Sequence, residues 1–288
     1  MEAVLISKFF KAFRICDGVI RIVGMAGETC YLVEGTERAL LIDGLSGVGS
    51  LKAFVRELTD MPVTPVITHG HLDHTGAVWE YEEAYISPLD VRLMYSEAHS
   101  SQKARLDFVK LFTSFGLKLR TEPMPADVLN AHAVKTYPLY EGDVFDLGET
   151  QIEAISVPGH THGTMVFLDR KHRILFAGDA CNSNTLLNLE GSTSVEVYLN
   201  SLRHFKTFQK DFDVIWSGHD GAGVPITIID DGILLCEKIL AGTDDAVPTE
   251  DLFGGKSYSA SATDENKRFG YGGLCNILYK KETVREAI

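Results

Sequence analysis

Apolar positions come first in short runs. VIRIVG (19–24), CYLVEG (30–35) and RALLIDG (38–44) are rich in β-branched and aromatic residues and are bounded by Gly or polar turns, so they predict strands. The period then changes. In GSLKAFVREL, Leu51, Phe54, Val55 and Leu58 share one helical face behind Ser50 as N-cap. VTPVIT predicts a buried strand that runs straight into VITHGHLDHTG, and AYISP predicts another short strand. This β-α-β order implies a mixed α/β architecture.

From residue 89 to about 134 the pattern loosens. VRLMYSEAHSSQKARLDFVKLFTSFG reads as helical with a less regular apolar stripe, and TEPMPADVLNAH breaks it with two prolines. We read 89–134 as a helical insertion and a candidate lid. Strands resume in QIEAISVPG, TMVFLD and RILFAGD. A helix is expected over SVEVYLNSLRHFKTF, then a strand in DVIWSGHDG, then a helix over about 228–240. A Gly- and Ser-rich tail follows, and the apolar run LCNILY predicts a closing strand. No tandem repeat or low-complexity linker divides the 288 residues, so one domain over 1–288 is expected, with 241–288 as a C-terminal extension.

Charge narrows the function classes. The formal net charge is -13 and no Lys/Arg run occurs, which argues against a nucleic-acid partner and against an anionic membrane surface. No window of apolar residues is long enough to predict a transmembrane helix. The N-terminal stretch has charges breaking its apolar runs and no signal-peptide pattern. The five cysteines include no CxxC pair and predict reduced thiols. A cytoplasmic protein with a small-molecule substrate is the expectation, and a homodimer is left open.

The chemistry is concentrated at strand ends. VITHGHLDHTG places His69, His71, Asp73 and His74 within six consecutive positions. SVPGHTHG follows a strand with His160, ILFAGD ends on Asp179, and VIWSGHDG ends on His219. A lone loop histidine or aspartate is ordinary turn chemistry. Their conjunction, each just past the carboxyl end of an apolar strand, is not. An α/β sheet presents its loop crevice there, and imidazole with carboxylate suits zinc and similar divalent ions.

These segments resemble the motifs of the metallo-β-lactamase superfamily. THGHLDHTG, PGHTHG, FAGDA and SGHDG are similar to its successive metal motifs, and CYLVEGTERALLIDG to its opening strands. The resemblance runs from about 30 to 221 and leaves the insertion and the tail unexplained. It implies a four-layer αβ/βα sandwich and two divalent ions, with zinc favoured and iron or manganese also accepted by these donors. His69, His71 and His160 would hold the first ion and Asp73, His74 and His219 the second. Asp179 would bridge them, and Asp73 and Asp179 would be the catalytic carboxylates. Aspartate at 179, with Cys181 two positions on, is similar to the dinuclear glyoxalase II-like thioesterases and the lactonases, and unlike the β-lactamases with a cysteine ligand. The implied activity is hydrolysis of a lactone or thioester. The alternatives are an RNase Z-like phosphodiesterase or a β-lactamase lacking that cysteine.

Other residues are expected to do less. Asp43, at the end of ALLID, is a candidate to orient a ligand histidine, and so is Asp220. His162 reads as a loop residue, His99 and His132 as solvated, His172 and His204 as surface, and Tyr198 as packing.

Overall fold

The early apolar runs fold into strands as their pattern predicts. The computed structural model describes residues 2–250, 254–262 and 275–286. They fall in two compact units, Met1–Glu153 and Ala154–Ile288.

The first unit is built on an eight-stranded sheet whose spatial order follows the sequence. Strands β1 (Ala3–Ile6), β2 (Lys11–Cys16), β3 (Val19–Val23), β4 (Thr29–Glu34) and β5 (Ala39–Ile42) form an antiparallel meander. β6 (Val63–Val66), β7 (Glu83–Ile86) and β8 (Lys135–Pro138) then add in parallel. Parallel neighbours need crossovers, and the crossovers carry the helices. Helix α1 (Leu51–Arg56) joins β5 to β6. Helix α2 (Leu72–Thr75) and a 3-10 turn (Gly76–Glu80) join β6 to β7. Helices α3 (Val91–Met94), α4 (Glu97–Ser100) and α5 (Gln102–Ser114) lie between β7 and β8. The insertion is therefore one long crossover.

Its helix is broken where one continuous pattern was expected. Ser96 and Ser101 both adopt extended backbone, and the Ser101 hydroxyl accepts from Ala104 N to start α5 afresh. At α1 the expectation holds: Ser50 Oγ accepts from Ala53 N, and Leu51, Phe54 and Val55 are buried. They pack with Phe10, Ile20, Ile22, Leu32 and Leu41. Burial of each such side chain contributes about 1.5–3 kcal/mol. Ile67, Val78, Trp79, Ile86 and Met94 form a smaller buried cluster. Strand β9 (Val144–Asp146) pairs with the start of β10 (Gln151–Ser156), which leads into the second unit.

In the second unit, β11 (Met165–Asp169), β12 (Ile174–Gly178), β14 (Val214–Ser217) and β15 (Val224–Pro225) extend β10 into a sheet ordered β15-β14-β12-β11-β10. β13 (Thr185–Leu187), β16 (Val247–Glu250), β17 (Lys256–Ser259) and β18 (Ile277–Tyr279) make a second, smaller sheet, and β18 is the predicted closing strand. Helix α6 (Val195–Phe205) is capped by Ser194 and carries the chain from β12 towards its parallel neighbour β14. Helix α7 (Ile228–Ala241) ends on Gly242 in the left-handed conformation, a normal helix stop. Leu199, Leu202, Phe205 and Ile239 join Ile155, Val166, Leu175 and Ile215 in one core. Part of the predicted Gly- and Ser-rich tail, 263–274, lies outside the described residues. Mixed sheets with helices bear out the α/β class, and no described helix is long and apolar enough to cross a membrane.

Candidate metal centre

The parallel register in the first unit positions its candidate residues. Ile42 pairs with Val66, so the residues just past β5 and β6 emerge side by side. Asp43 and Thr68 meet there. Asp43 Oδ1 accepts from Thr68 N at 2.8 Å, and Thr68 Oγ1 donates to the same carboxylate at 2.9–3.0 Å. Asp43 has φ +69°, a left-handed conformation that aspartate tolerates better than most residues.

His69 follows directly, and His71 occupies the N-cap of α2 in extended backbone. Asp73 and His74 lie within the helix. All four are buried. The rings of His69 and His74 are 4.0 Å apart, those of His69 and His71 4.9 Å, and His74 Nε2 is 3.7 Å from Asp73 Oδ2. Gly76 closes the motif because nothing larger fits: a Cβ there would lie 2.0 Å from Gly47 N.

Hydrogen bonds fix the imidazole tautomers. Asp43 Oδ2 is 2.7 Å from His74 Nδ1, so a carboxylate takes the Nδ1 proton and Nε2 keeps its lone pair. Thr68 has one hydroxyl proton, and Asp43 receives it. Thr68 Oγ1 must then accept from His69 Nδ1, 3.0 Å away, so His69 also presents a basic Nε2. One carboxylate thus prepares two nitrogen donors. The orienting role expected for Asp43 is realised on His74.

The second unit converges on Asp179. Parallel β12 and β14 bring Gly178 opposite Ser217, which places the next residues of each strand at one edge. Asp179 Oδ2 is 3.1 Å from His219 Nε2 and 3.6 Å from His160 Nε2. His160 Nδ1 lies 2.7 Å from Leu186 O; a carbonyl only accepts, so this ring too offers Nε2 as a lone-pair donor. Asn182 Nδ2 reaches Asp179 Oδ1 at 3.4 Å. Asp220 is bonded to the loops around the site. Its carboxylate accepts from Ser217 Oγ at 2.7 Å and from Ser183 N and Oγ, tying together the loops that carry His219 and Asp179.

Tyr198 is a core residue whose hydroxyl donates to Ala180 O at 2.8 Å, and burial pushes its pKa up. Burial likewise raises the Cys181 pKa, which keeps it a thiol. All five cysteines are free. His132, His162 and His204 are exposed, as expected. Two histidines differ from expectation. His99 is half-buried, with Nδ1 accepting from Leu72 N at 3.2 Å and its ring 5.0 Å from that of His71. His172 is half-buried against the fully enclosed Asp169, at 2.6 Å. Neither role shows in sequence, because each depends on a partner brought by folding.

The donor set fits a divalent metal: imidazoles held at Nδ1 by an oxygen, with Nε2 left for a ligand, and carboxylates beside them. Several His/Asp groups of the chain are able to hold such an ion.

Comparison with known proteins agrees. The family model Lactamase_B, described as the metallo-beta-lactamase superfamily, matches residues 24–219. The Gallus gallus protein named acyl-coenzyme A thioesterase MBLAC2 is 29% identical over 189 residues, 59% of this chain. The match spans 64% of that relative's length, just under two thirds. The Homo sapiens protein of the same name is 26% identical over 241 residues, covering 77% of this chain and 75% of its own. The crystal structure of VMB-1 superposes with a TM-score of 0.54 at 16% identity, covering 79% of this chain and 96% of its own, a likeness of fold.

Proposed function

The chain belongs to the metallo-beta-lactamase superfamily, and we propose that it hydrolyses a thioester at a dinuclear metal centre. It is a metal-dependent hydrolase, a reading supported by the family match and by the thioesterase relatives. His69, His71 and His160 would hold one ion, and Asp73, His74 and His219 the other. Asp179 would bridge them. The observation that carries this assignment is the oxygen beside Nδ1 of His69, His74 and His160. An Nδ1–H that donates to that oxygen leaves Nε2 of each ring for a ligand.

When bound, two divalent ions supply Lewis acidity, which makes water nucleophilic near neutral pH and polarises a carbonyl. The chain's own groups do the rest. Asp73 and Asp179 set two negative charges against two dications, leaving a net positive centre suited to a developing oxyanion. Asp73 also carries a carboxylate oxygen able to take a proton. Addition of water to the acyl carbon and cleavage of the C–S bond release a carboxylic acid and a thiol. Zinc is the ion we assign, since nitrogen and carboxylate donors without thiolate suit it. The thioester is preferred over a lactone because the relatives named above are thioesterases.

Metal analysis of purified protein with a parallel panel of acyl-CoA thioesters, lactones, β-lactams and an aryl phosphodiester tests this. Two equivalents of metal per chain and fastest turnover of the thioester are expected. One equivalent at full activity would remove the dinuclear assignment, and fastest turnover of the phosphodiester would remove the thioester.

A further inference from the structure

The insertion buries a cation with no carboxylate beside it. Arg105, on α5, is fully enclosed. Nη2 donates to Ser100 O at 2.6 Å, while Nε and Nη1 are buried without a protein acceptor among the described residues. The guanidinium carbon lies 5.8 Å from the ring centroid of Trp79, which is 1% exposed, and the indole Nε1–H is also without a protein acceptor. Burial pushes the Arg105 pKa down to about 10, so the group keeps its charge at neutral pH. An isolated buried charge is costly unless something compensates it. Stacking on an indole compensates only in part.

We propose that Arg105 and the indole N–H of Trp79 form a binding site for one small anion, a halide or a short carboxylate. The enclosure of both side chains sets the size. The unused donors set the sign, since guanidinium and indole offer hydrogens and no acceptor. The location gives the site a consequence. Trp79 lies in the turn that follows the ligand helix α2, and α5 packs against α2. An anion held between Arg105 and Trp79 ties the insertion to the metal-bearing turn, and by mass action it stabilises the folded form.

The test uses the full chain. Crystals soaked in bromide should show an anomalous peak in contact with Arg105 Nε or Nη1. In solution, replacing gluconate with chloride or acetate at constant ionic strength should raise the melting temperature saturably by a few degrees. It should also slow proteolysis within 89–134. Arg105→Met should abolish both responses, and Trp79→Phe, which removes one donor, should weaken them. If Arg105→Met fails to fold, Arg105→Lys and the bromide peak in the wild type still decide. Absence of bromide at Arg105, or the same halide response in wild type and variant, would overturn the proposal and leave Arg105 a packing residue solvated by water.

Discussion

Asp43 Oδ2 lies 2.7 Å from His74 Nδ1, and through Thr68 the same carboxylate also governs His69. Asp43, Thr68 and His69 lie just past the ends of two parallel strands, where the Ile42–Val66 register puts them in reach, and His74 follows in α2. The outcome is a pair of imidazoles held by oxygens at Nδ1, which leaves Nε2 of each as the edge for a ligand.

Asp43→Asn should therefore disable metal binding without disturbing the backbone. Asparagine also tolerates positive φ, so the turn survives. With its amide nitrogen towards His74, it would donate to Nδ1 and move the ring proton to Nε2, where it blocks ligation. We expect metal affinity to fall about 10–100-fold, the usual cost of losing such a partner. Competition with a chelator reads the affinity and far-UV circular dichroism reads the fold; unchanged affinity would count against the tautomer argument.

The candidate ligands were legible because strand ends are legible. Apolar runs stopping at His69, His160, Asp179 and His219 announce both the strand and what it presents. The supports were not. Thr68, Asn182 and His99 act through partners that only the fold supplies. Strands β1, β2, β8 and β9 escaped notice because their burial is partial and their apolar alternation weak. The stretch 91–116 read as helical because its composition is helical along its length; the breaks at Ser96 and Ser101 lie in extended backbone that composition does not announce.

Asp179→Asn should lose turnover and bound metal while keeping the fold. The carboxylate faces His160 and His219, and the core of the second unit is built by strands and helices behind it. Circular dichroism, metal content and thioester hydrolysis measured together check this. Full activity with metal retained would remove Asp179 from the proposed bridge.

Gly76→Ala should be among the most damaging small substitutions. The backbone around Gly76 is clasped to residues 44–47 by Gly76 N to Leu45 O and Ala77 N to Gly44 O, both 2.8 Å. The new methyl would meet the backbone of Ser46 and Gly47, which has no rotamer to yield. A loss of about 1–3 kcal/mol is expected for such overpacking, read by denaturant melts, with metal affinity falling alongside it as the turn shifts.

Glu80 offers a pH signature away from the ligands. Its carboxylate accepts from Leu51 N, Lys52 N and the Ser50 hydroxyl at the start of α1. Burial nevertheless raises its pKa. A raised folded-state pKa means the proton is held more tightly folded than unfolded. The resulting stability is full below the ordinary carboxylate range and is lost as pH rises through the raised value. Glu80→Gln cannot ionise, so its stability relative to wild type should climb as pH increases from that range towards neutrality. Urea melts of both proteins across the interval give the difference directly, and a difference that falls with pH would reverse the sign.

Asp90 should matter more than its distance in sequence from the ligands implies. Its Oδ2 accepts from Gly70 N at 2.8 Å, so the start of the insertion holds the peptide between His69 and His71. The fit is close: a Cβ on Gly70 would lie 2.7 Å from Asp90 O. Asp90→Ala leaves a buried N–H without its acceptor, at a cost of about 1–3 kcal/mol, and frees the segment that sets the spacing of two proposed ligands. Asp90→Asn keeps a carbonyl oxygen at the same place and should restore most of the loss. A role confined to stability would lower the melting temperature of Asp90→Ala and leave metal affinity in the folded protein unchanged. A positioning role lowers both, and the asparagine variant recovers both. Chelator competition well below the melting temperature separates the two.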